Sequence, residues 1–435
     1  MKVANRSNDG AYEVGVLDRN RMQGFLLTVR PVDSRSMTKK ARKHADDLRG
    51  ATRLAIDAAQ RVTEVVEAVH TTIASGPAIL GKPLSGPARL INGLVYGGIR
   101  GVTRLVGKSI ELALTPLAPL LGESAPGPER DAVIAALNGV LGDYLAETKN
   151  PLAIEMRLRN DGHPIEVDKE ALHAAFPQAG GKLLVLLHGS CMNDLQWKRQ
   201  GHDHGAALAR DLGYTPLYIQ YNSGLHISTN GRELDALLER LVSAWPARVE
   251  EVALLGHSMG GLVARSACHY GTAHAWRRKL TKLICLGTPH HGAPLERGGN
   301  GIDLLLGVSR YSAPFARLSK LRSAGVTDLR FGNVLDEHWI GRDRFAHAGD
   351  TRDELKLPDG VECYAIAGTT SPEGRSNLFG DGLVPIDSAL GRHGASHLTL
   401  AFPEAHQWIG QGIGHLDLLS RPEVYARIRS WLSGS

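Results

Sequence analysis

"VALLGHSMGGLVARSA", Val252–Ala267, passes from an apolar run into a helix-like run across five residues, Gly256-His257-Ser258-Met259-Gly260. An ordinary strand-to-helix turn needs one glycine at most. Two glycines flanking a serine fit a sharper turn, in which the hydroxyl stands clear of a sheet and the backbones on either side approach closely. The helix that follows aims its unpaired N–H groups and positive dipole end at whatever the serine attacks. Ser258 therefore reads as a nucleophile, and "VALL" before it and "GLVARSA" after it supply the strand and helix that this reading requires.

Working outward, the chain from Asn150 onward alternates between strand and helix patterns. "LAIEMRLRNDGHPIEV" reads as two strands joined at Asn160-Asp161-Gly162, a hairpin signal. "KLLVLLHG" is continuously apolar, as expected of a strand covered on both faces. "TPLYIQYN", "VEEVALLG", "LTKLICLG", "VECYAIAG" and "LTLAFP" read as further strands, and "GRELDALLERLVSAW", "GGLVARSACHYG" and "RPEVYARIRSWL" as helices. The pattern predicts a mostly parallel sheet with helices on both faces, over residues 149–435.

A serine hydroxyl is a weak nucleophile without a base and an acid to orient that base. In folds with this turn, the acid and the histidine follow the serine in that order. Asp381, between glycines in "FGDGLVP", lies just after the strand "CYAIAGT"; Asp387 is the alternative, with a place at the start of the next helix-like segment. Of 19 histidines, His415 in "GIGHLDLL" stands after a glycine-rich loop and before the final helix. His406 is its nearest rival, and His393 and His397 are weaker ones. The oxyanion donors expected are the backbone N–H of Met259 and that of Ser190, with Cys191 as the alternative, in the loop after "LLVLLHG".

Taken together, "LLHGS", "GHSMGGLVAR", "GTPHHGAPL", "GDGLVP" and "GHLDLL" resemble the bacterial lipase and esterase branch of the α/β-hydrolase family, including its GPI-inositol-deacylase-like members. The resemblance runs from about Lys182 to the C-terminus. It implies an α/β-hydrolase fold and a serine carboxylester hydrolase acting through an acyl-enzyme on an apolar or lipid-like ester. It places His188, Gly189, His257, Thr288 and His290 around the substrate pocket, and a helical cap over about 296–350, where Leu304, Leu305, Leu306 and Phe315 would suit an acyl chain or core packing. No cofactor or metal is implied. Asp417 sits where some family lipases hold calcium, against the plainer reading of a carboxylate at a helix start. His202-Asp203-His204 reads as a solvated helix cap, and the adjacent His290 and His291 point in different directions. The fold also hosts acyltransferases, thioesterases and amidases.

Residues 1–148 form a separate helical extension in this reading, with residues 1–33 lacking a strong period. Leu54, Ala58, Val62, Val65, Val69 and Ile73 repeat at helical spacing, and "ERDAVIAALNGVLGDYLAE" reads as one more short helix. Between Gly76 and Leu121 the charges are Lys82, Arg89, Arg100, Arg104 and Lys108 against Glu111. That segment is either a packed helical hairpin or a basic amphipathic surface for anionic lipid. The second alternative carries a different function, a lipid-surface binding protein that uses the hydrolase fold as a scaffold.

Composition narrows the classes. The 435 residues carry a net charge of only +5 and 5% aromatics, which argues against nucleic acid as a partner. The four cysteines, Cys191, Cys268, Cys285 and Cys363, lack any CxxC spacing, as in a reducing compartment. The first residues, "MKVANRSNDGAYEVG", hold no apolar core of a secretory signal. A cytoplasmic location, at most peripheral to a membrane, is the expectation.

Overall fold

The computed structural model describes residues 127–293, 323–342, 350, 352–353, 355–371 and 380–434. The basic Gly76–Leu121 segment, the helical pattern before it and most of the expected cap, including Leu304, Leu305, Leu306 and Phe315, lie outside the described residues.

Eight strands form one sheet: β1 (Arg157–Asn160), β2 (His163–Ile165), β3 (Lys182–Leu187), β4 (Thr215–Gln220), β5 (Glu251–His257), β6 (Leu280–Leu286), β7 (Glu362–Thr369) and β8 (Gln407–Gln411). Their order is β2-β1-β4-β3-β5-β6-β7-β8. The β1–β2 and β1–β4 pairs are antiparallel; every pair from β4 to β8 is parallel. Asp161 and Gly162 turn the hairpin with φ of 47° and 80°, the two left-handed positions of a tight hairpin turn.

The apolar run of β3 is explained by burial on both sides. Leu183, Val185 and Leu187 belong to one core, and Leu184 and Leu186 to the other. All five are fully buried, and each such side chain stabilises the fold by roughly 1.5–3 kcal/mol relative to exposure. A polar residue at Val185 would break that packing. The first core takes in helices α4 (Ile227–Ala244) and α5 (Met259–Tyr270). The second takes in α3 (His204–Leu212) and α9 (Pro422–Ser433). Shorter helices are α2 (Lys169–Ala175), α6 (Ala275–Lys279), α7 (Ala324–Asp328) and α8 (Ile386–Ala389).

One expected strand is not formed. "LTLAFP" begins at the last residue of a 3₁₀ turn, Ser396–Leu398, and continues as loop. Leu400 and Phe402 reach the core from an extended segment without a ladder, so the alternation of apolar residues mimics a strand. The edge position beside β7 goes to β8, with Ala365 opposite Gln407.

Helix α1, Pro128–Glu147, matches the helical pattern read there, 20 residues with Pro128 in its first turn. It is apolar almost all round, and Ala135, Ala136, Leu137, Asn138, Val140, Leu141 and Leu145 are buried. Such a helix belongs inside a protein. Asn138 ties it to the chain ahead of β1, donating to Leu152 O at 2.8 Å and accepting from Ile154 N at 2.9 Å. Among the described residues, no helix is long and apolar enough to cross a membrane.

Candidate active site

Parallel strands end on one side of the sheet, and the loops beyond them meet over its carboxyl edge. β3 lies between β4 and β5, so consecutive connections diverge there and open a crevice. Leu187 of β3 pairs with Gly256 of β5, Gly256 with Cys285 of β6, and Cys285 with Ala365 of β7. Ser258 follows two residues beyond Gly256.

Ser258 has φ 53° and ψ −122°, a conformation that costs an L-residue of order 1–3 kcal/mol. The turn is held by Ser258 N–H on Leu286 O at 2.8 Å and by Gly261 N–H on Ser258 O at 3.1 Å. The two flanking glycines are a steric necessity. A Cβ on Gly256 would run into the Gly261 backbone, and one on Gly260 into the Leu187 carbonyl. Met259 opens α5, so its N–H lacks a carbonyl one turn back and is free to face a ligand.

The loop after β3 comes against the serine. A Cβ on Gly189 would lie 3.2 Å from Ser258 Cβ and 3.0 Å from His257 Nδ1. His188 is fully buried, its ring stacked on Tyr221 at 4.2 Å. Its Nδ1–H donates to Gly189 O at 2.8 Å and its Nε2 accepts from Tyr221 N–H at 3.3 Å. Burial holds this imidazole down at about 4, so the ring is neutral and both nitrogens are engaged within the protein. Tyr221 Oη donates to His188 O at 2.6 Å. Cys191 takes φ 60°, and its N–H donates to Ser223 Oγ at 3.0 Å. The Cys191 amide is thus engaged within the protein.

Asp381 and His415 meet across 34 residues. His415 Nδ1–H donates to Asp381 Oδ2 at 2.7 Å. The other carboxylate oxygen accepts from Leu383 N–H at 3.0 Å and Val384 N–H at 2.8 Å, and both residues are buried. Against the His415 ring, at 4.7 Å, lies His257, which donates from Nε2 to His415 O at 3.1 Å. Burial, with the neighbouring His415, keeps His257 well below its ordinary value, hence neutral.

The rivals are occupied elsewhere. Asp387 is exposed in the first turn of α8, 3.7 Å from Arg392; the N-cap itself is Pro385. His406 packs on Tyr364 and donates from Nδ1 to Cys363 O at 3.2 Å. His393 lies 3.7 Å from Asp350, and His397 is exposed. Asp417 accepts from Gly414 N–H at 3.2 Å and begins a 3₁₀ turn. Asp203 caps α3 by accepting from Ala206 N–H at 3.0 Å. Its neighbour His204 is fully buried rather than solvated.

Thr288 packs against Gly261 in the first turn of α5, and His290 turns toward Arg265, accepting on Nδ1 from Nη1 at 3.3 Å. Burial and the Arg265 charge hold His290 well below its ordinary value. Arg265, missed by sequence reading, is 5% exposed and donates to Leu355 O at 2.8 Å. A charged residue seven positions after Ser258, on the same buried helix face, was the available signal. A cavity of about 350 Å³ adjoins the Asp381–His415 pair, lined also by Arg199, Leu383, Leu416 and Asp417. Among the described residues no group of three or more His, Cys, Asp or Glu is placed to hold a metal ion.

Residues 178–340 match the family model of the PGAP1-like alpha/beta domain, a span that includes Ser190, Ser258 and Met259 and ends before Asp381. No curated protein matches the chain in sequence. Among solved structures, the mature Bacillus licheniformis lipase BlEst2 is similar at 19% identity, covering 58% of this chain and 93% of that one with a TM-score of 0.39. Aspergillus fumigatus lipase B is 14% identical over 62% of this chain and 58% of its own, TM-score 0.38. The esterase RhEst1 from Rhodococcus sp. ECU1013 is 17% identical over 64% and 99%, TM-score 0.33. With the sheet order above, the chain has an α/β-hydrolase fold, and residues 178–340 are similar to the PGAP1-like alpha/beta domain.

Proposed function

We propose that this protein of α/β-hydrolase fold is a serine carboxylester hydrolase that works through an acyl-enzyme on an apolar or lipid-like ester. The observation that carries the reading is the buried 2.7 Å hydrogen bond between Asp381 and His415 at the edge of the sheet where Ser258 makes its strained turn.

In this mechanism Asp381 keeps the proton on His415 Nδ1, so that Nε2 carries the free lone pair. His415 Nε2 takes the Ser258 proton as Oγ attacks the ester carbonyl. The oxyanion forms against the N–H groups of Met259 and Ser190. The imidazolium then returns the proton to the leaving alcohol, and the acyl group stays on Oγ. Water, deprotonated by the same ring, attacks the acyl-enzyme and releases the carboxylic acid. Leu383 and Leu416 line the cavity beside the Asp381–His415 pair.

A fluorophosphonate probe followed by peptide mapping tests the assignment without knowledge of the substrate. The label is expected on Ser258 and lost in Ser258→Ala, which should also abolish hydrolysis of a p-nitrophenyl ester while remaining folded. A folded protein that is labelled elsewhere, or not at all, overturns it.

A further inference from the structure

The loop that carries Ser190 is gripped from outside the sheet. Gly139, in the interior of α1, touches the loop backbone: a Cβ there would overlap Cys191 Sγ and lie 2.9 Å from Cys191 Cα and 3.0 Å from Cys191 N. On its other side, Cys191 is held by the Ser223 hydroxyl. Cys191 itself sits at φ 60°, a left-handed conformation that non-glycine residues keep only where the surroundings impose it. The same helix reaches the far end of the loop through charge. Asp131 pairs with Arg159 at 2.6 Å, and Arg159 with Asp194 at 2.9 Å.

The grip is itself braced. Asn222 donates from Nδ2 to Gly142 O at 3.0 Å. Ser323 donates from Oγ to Gly139 O at 2.7 Å. Glycine weakens a helix interior relative to alanine, and at position 139 the reason for it is contact with a loop two bonds from the Ser190 peptide. Helix α1 precedes the 178–340 span that matches the family, so this support is supplied by a separate part of the chain.

We propose that α1 sets the position of the oxyanion loop, with Gly139 as the positioning residue; this rests on the hydrolase reading above. Moving an oxyanion donor by a fraction of an ångström weakens binding of the transition state but not of the ground-state ester. Gly139→Ala is therefore expected to lower kcat about 10- to 100-fold with KM nearly unchanged. It should weaken inhibition by a trifluoromethyl ketone, which mimics the tetrahedral intermediate, by a similar factor. A glycine needed only for packing would change stability and leave both quantities alone.

Adding Cys191→Gly to Gly139→Ala removes the closest clashing atom and takes φ 60° without strain, so most of the lost kcat should return. Folded Gly139→Ala with wild-type kcat and ketone affinity overturns the proposal. Should that variant fail to fold, Ser223→Ala, which deletes only the acceptor of the Cys191 N–H, should show the same kcat-selective loss, and wild-type kcat there overturns it equally. Wild-type protein whose Ser258 takes no fluorophosphonate label fails the hydrolase reading itself, and the inference falls with it.

Discussion

Asp381 holds His415 twice, accepting from the ring Nδ1–H on its carboxylate at 2.7 Å and from the His415 backbone N–H on its carbonyl at 3.0 Å. The second bond fixes where the histidine sits, and the first fixes which ring nitrogen carries the proton. Because Asp381 Oδ1 is already committed to the N–H groups of Leu383 and Val384, an asparagine at 381 must keep its oxygen there and turn its NH₂ toward the ring. His415 would then hold its proton on Nε2 and could not accept one from Ser258. Asp381→Asn is expected to lower kcat on the order of 10³- to 10⁴-fold with little change in KM, whereas Asp387→Asn should leave turnover within about twofold, since an exposed rim carboxylate contributes little. Ester hydrolysis by both variants decides between the two acids.

The strain at Ser258 has a thermodynamic signature. Glycine takes φ 53° without the cost borne by serine or alanine, although it also gives the unfolded chain more freedom. Ser258→Gly and Ser258→Ala should both be inactive, with the glycine variant more stable by about 1 kcal/mol. Urea denaturation of the two variants side by side measures the difference. A glycine variant less stable than the alanine variant would overturn the expectation.

Much of the fold was legible because burial leaves a pattern in sequence. The unbroken apolar run at Lys182–Leu187 marks a strand covered on both faces, and Asp161-Gly162 marks the hairpin, since few residues tolerate two left-handed positions in succession. "LTLAFP" misled for a physical reason: Leu400 and Phe402 enter the core just as strand residues would, but Leu400 N–H donates to Gly391 O and Phe402 N–H to Leu400 O rather than to a neighbouring strand. The sharp turn at Ser258 was legible from its glycines. Which of 19 histidines faces Asp381 depends on a hydrogen bond that exists only after folding. The support around Ser190 was less legible still. Tyr221, Ser223 and Gly139 reach their partners across 32 to 52 positions, and no local period reports such contacts.

The ion network at the far end of the loop after β3 gives a stability prediction. Arg159 is buried between Asp131 and Asp194. Burial raises the Asp194 carboxyl above its ordinary range, with Arg159 pulling it back down. Arg159→Met removes the cation that Asp131 and Asp194 share, and loss of one partner from a buried pair costs about 3–5 kcal/mol. Adding Asp131→Asn and Asp194→Asn should recover most of the loss, because neutral amides tolerate the site. Guanidinium melts of the single and triple variants check both steps.

The buried histidines set how stability responds to acid. Burial holds His188 and His204 down at about 4, against 6.5 for a free imidazole. In His204, Nε2–H donates to Leu418 O at 2.9 Å while Nδ1 accepts from His202 Nε2 at 2.8 Å, an arrangement that has no place for a second proton. The unfolded chain therefore protonates first as pH falls, and protonation there draws the equilibrium toward unfolding. The contribution of each histidine is full above about pH 6.5 and declines as pH drops toward 4. At 1.36 kcal/mol per unit, it amounts to about 3 kcal/mol for each ring across that window. His257 and His290, also held well below the ordinary value, act in the same direction. Urea midpoints should be level above pH 7 and fall steadily between pH 6.5 and 4. In His204→Gln, which cannot take up the proton, the slope over that interval should be shallower. A wild-type midpoint that stays flat from pH 7 to pH 5 would show that these rings are free to protonate in the folded protein.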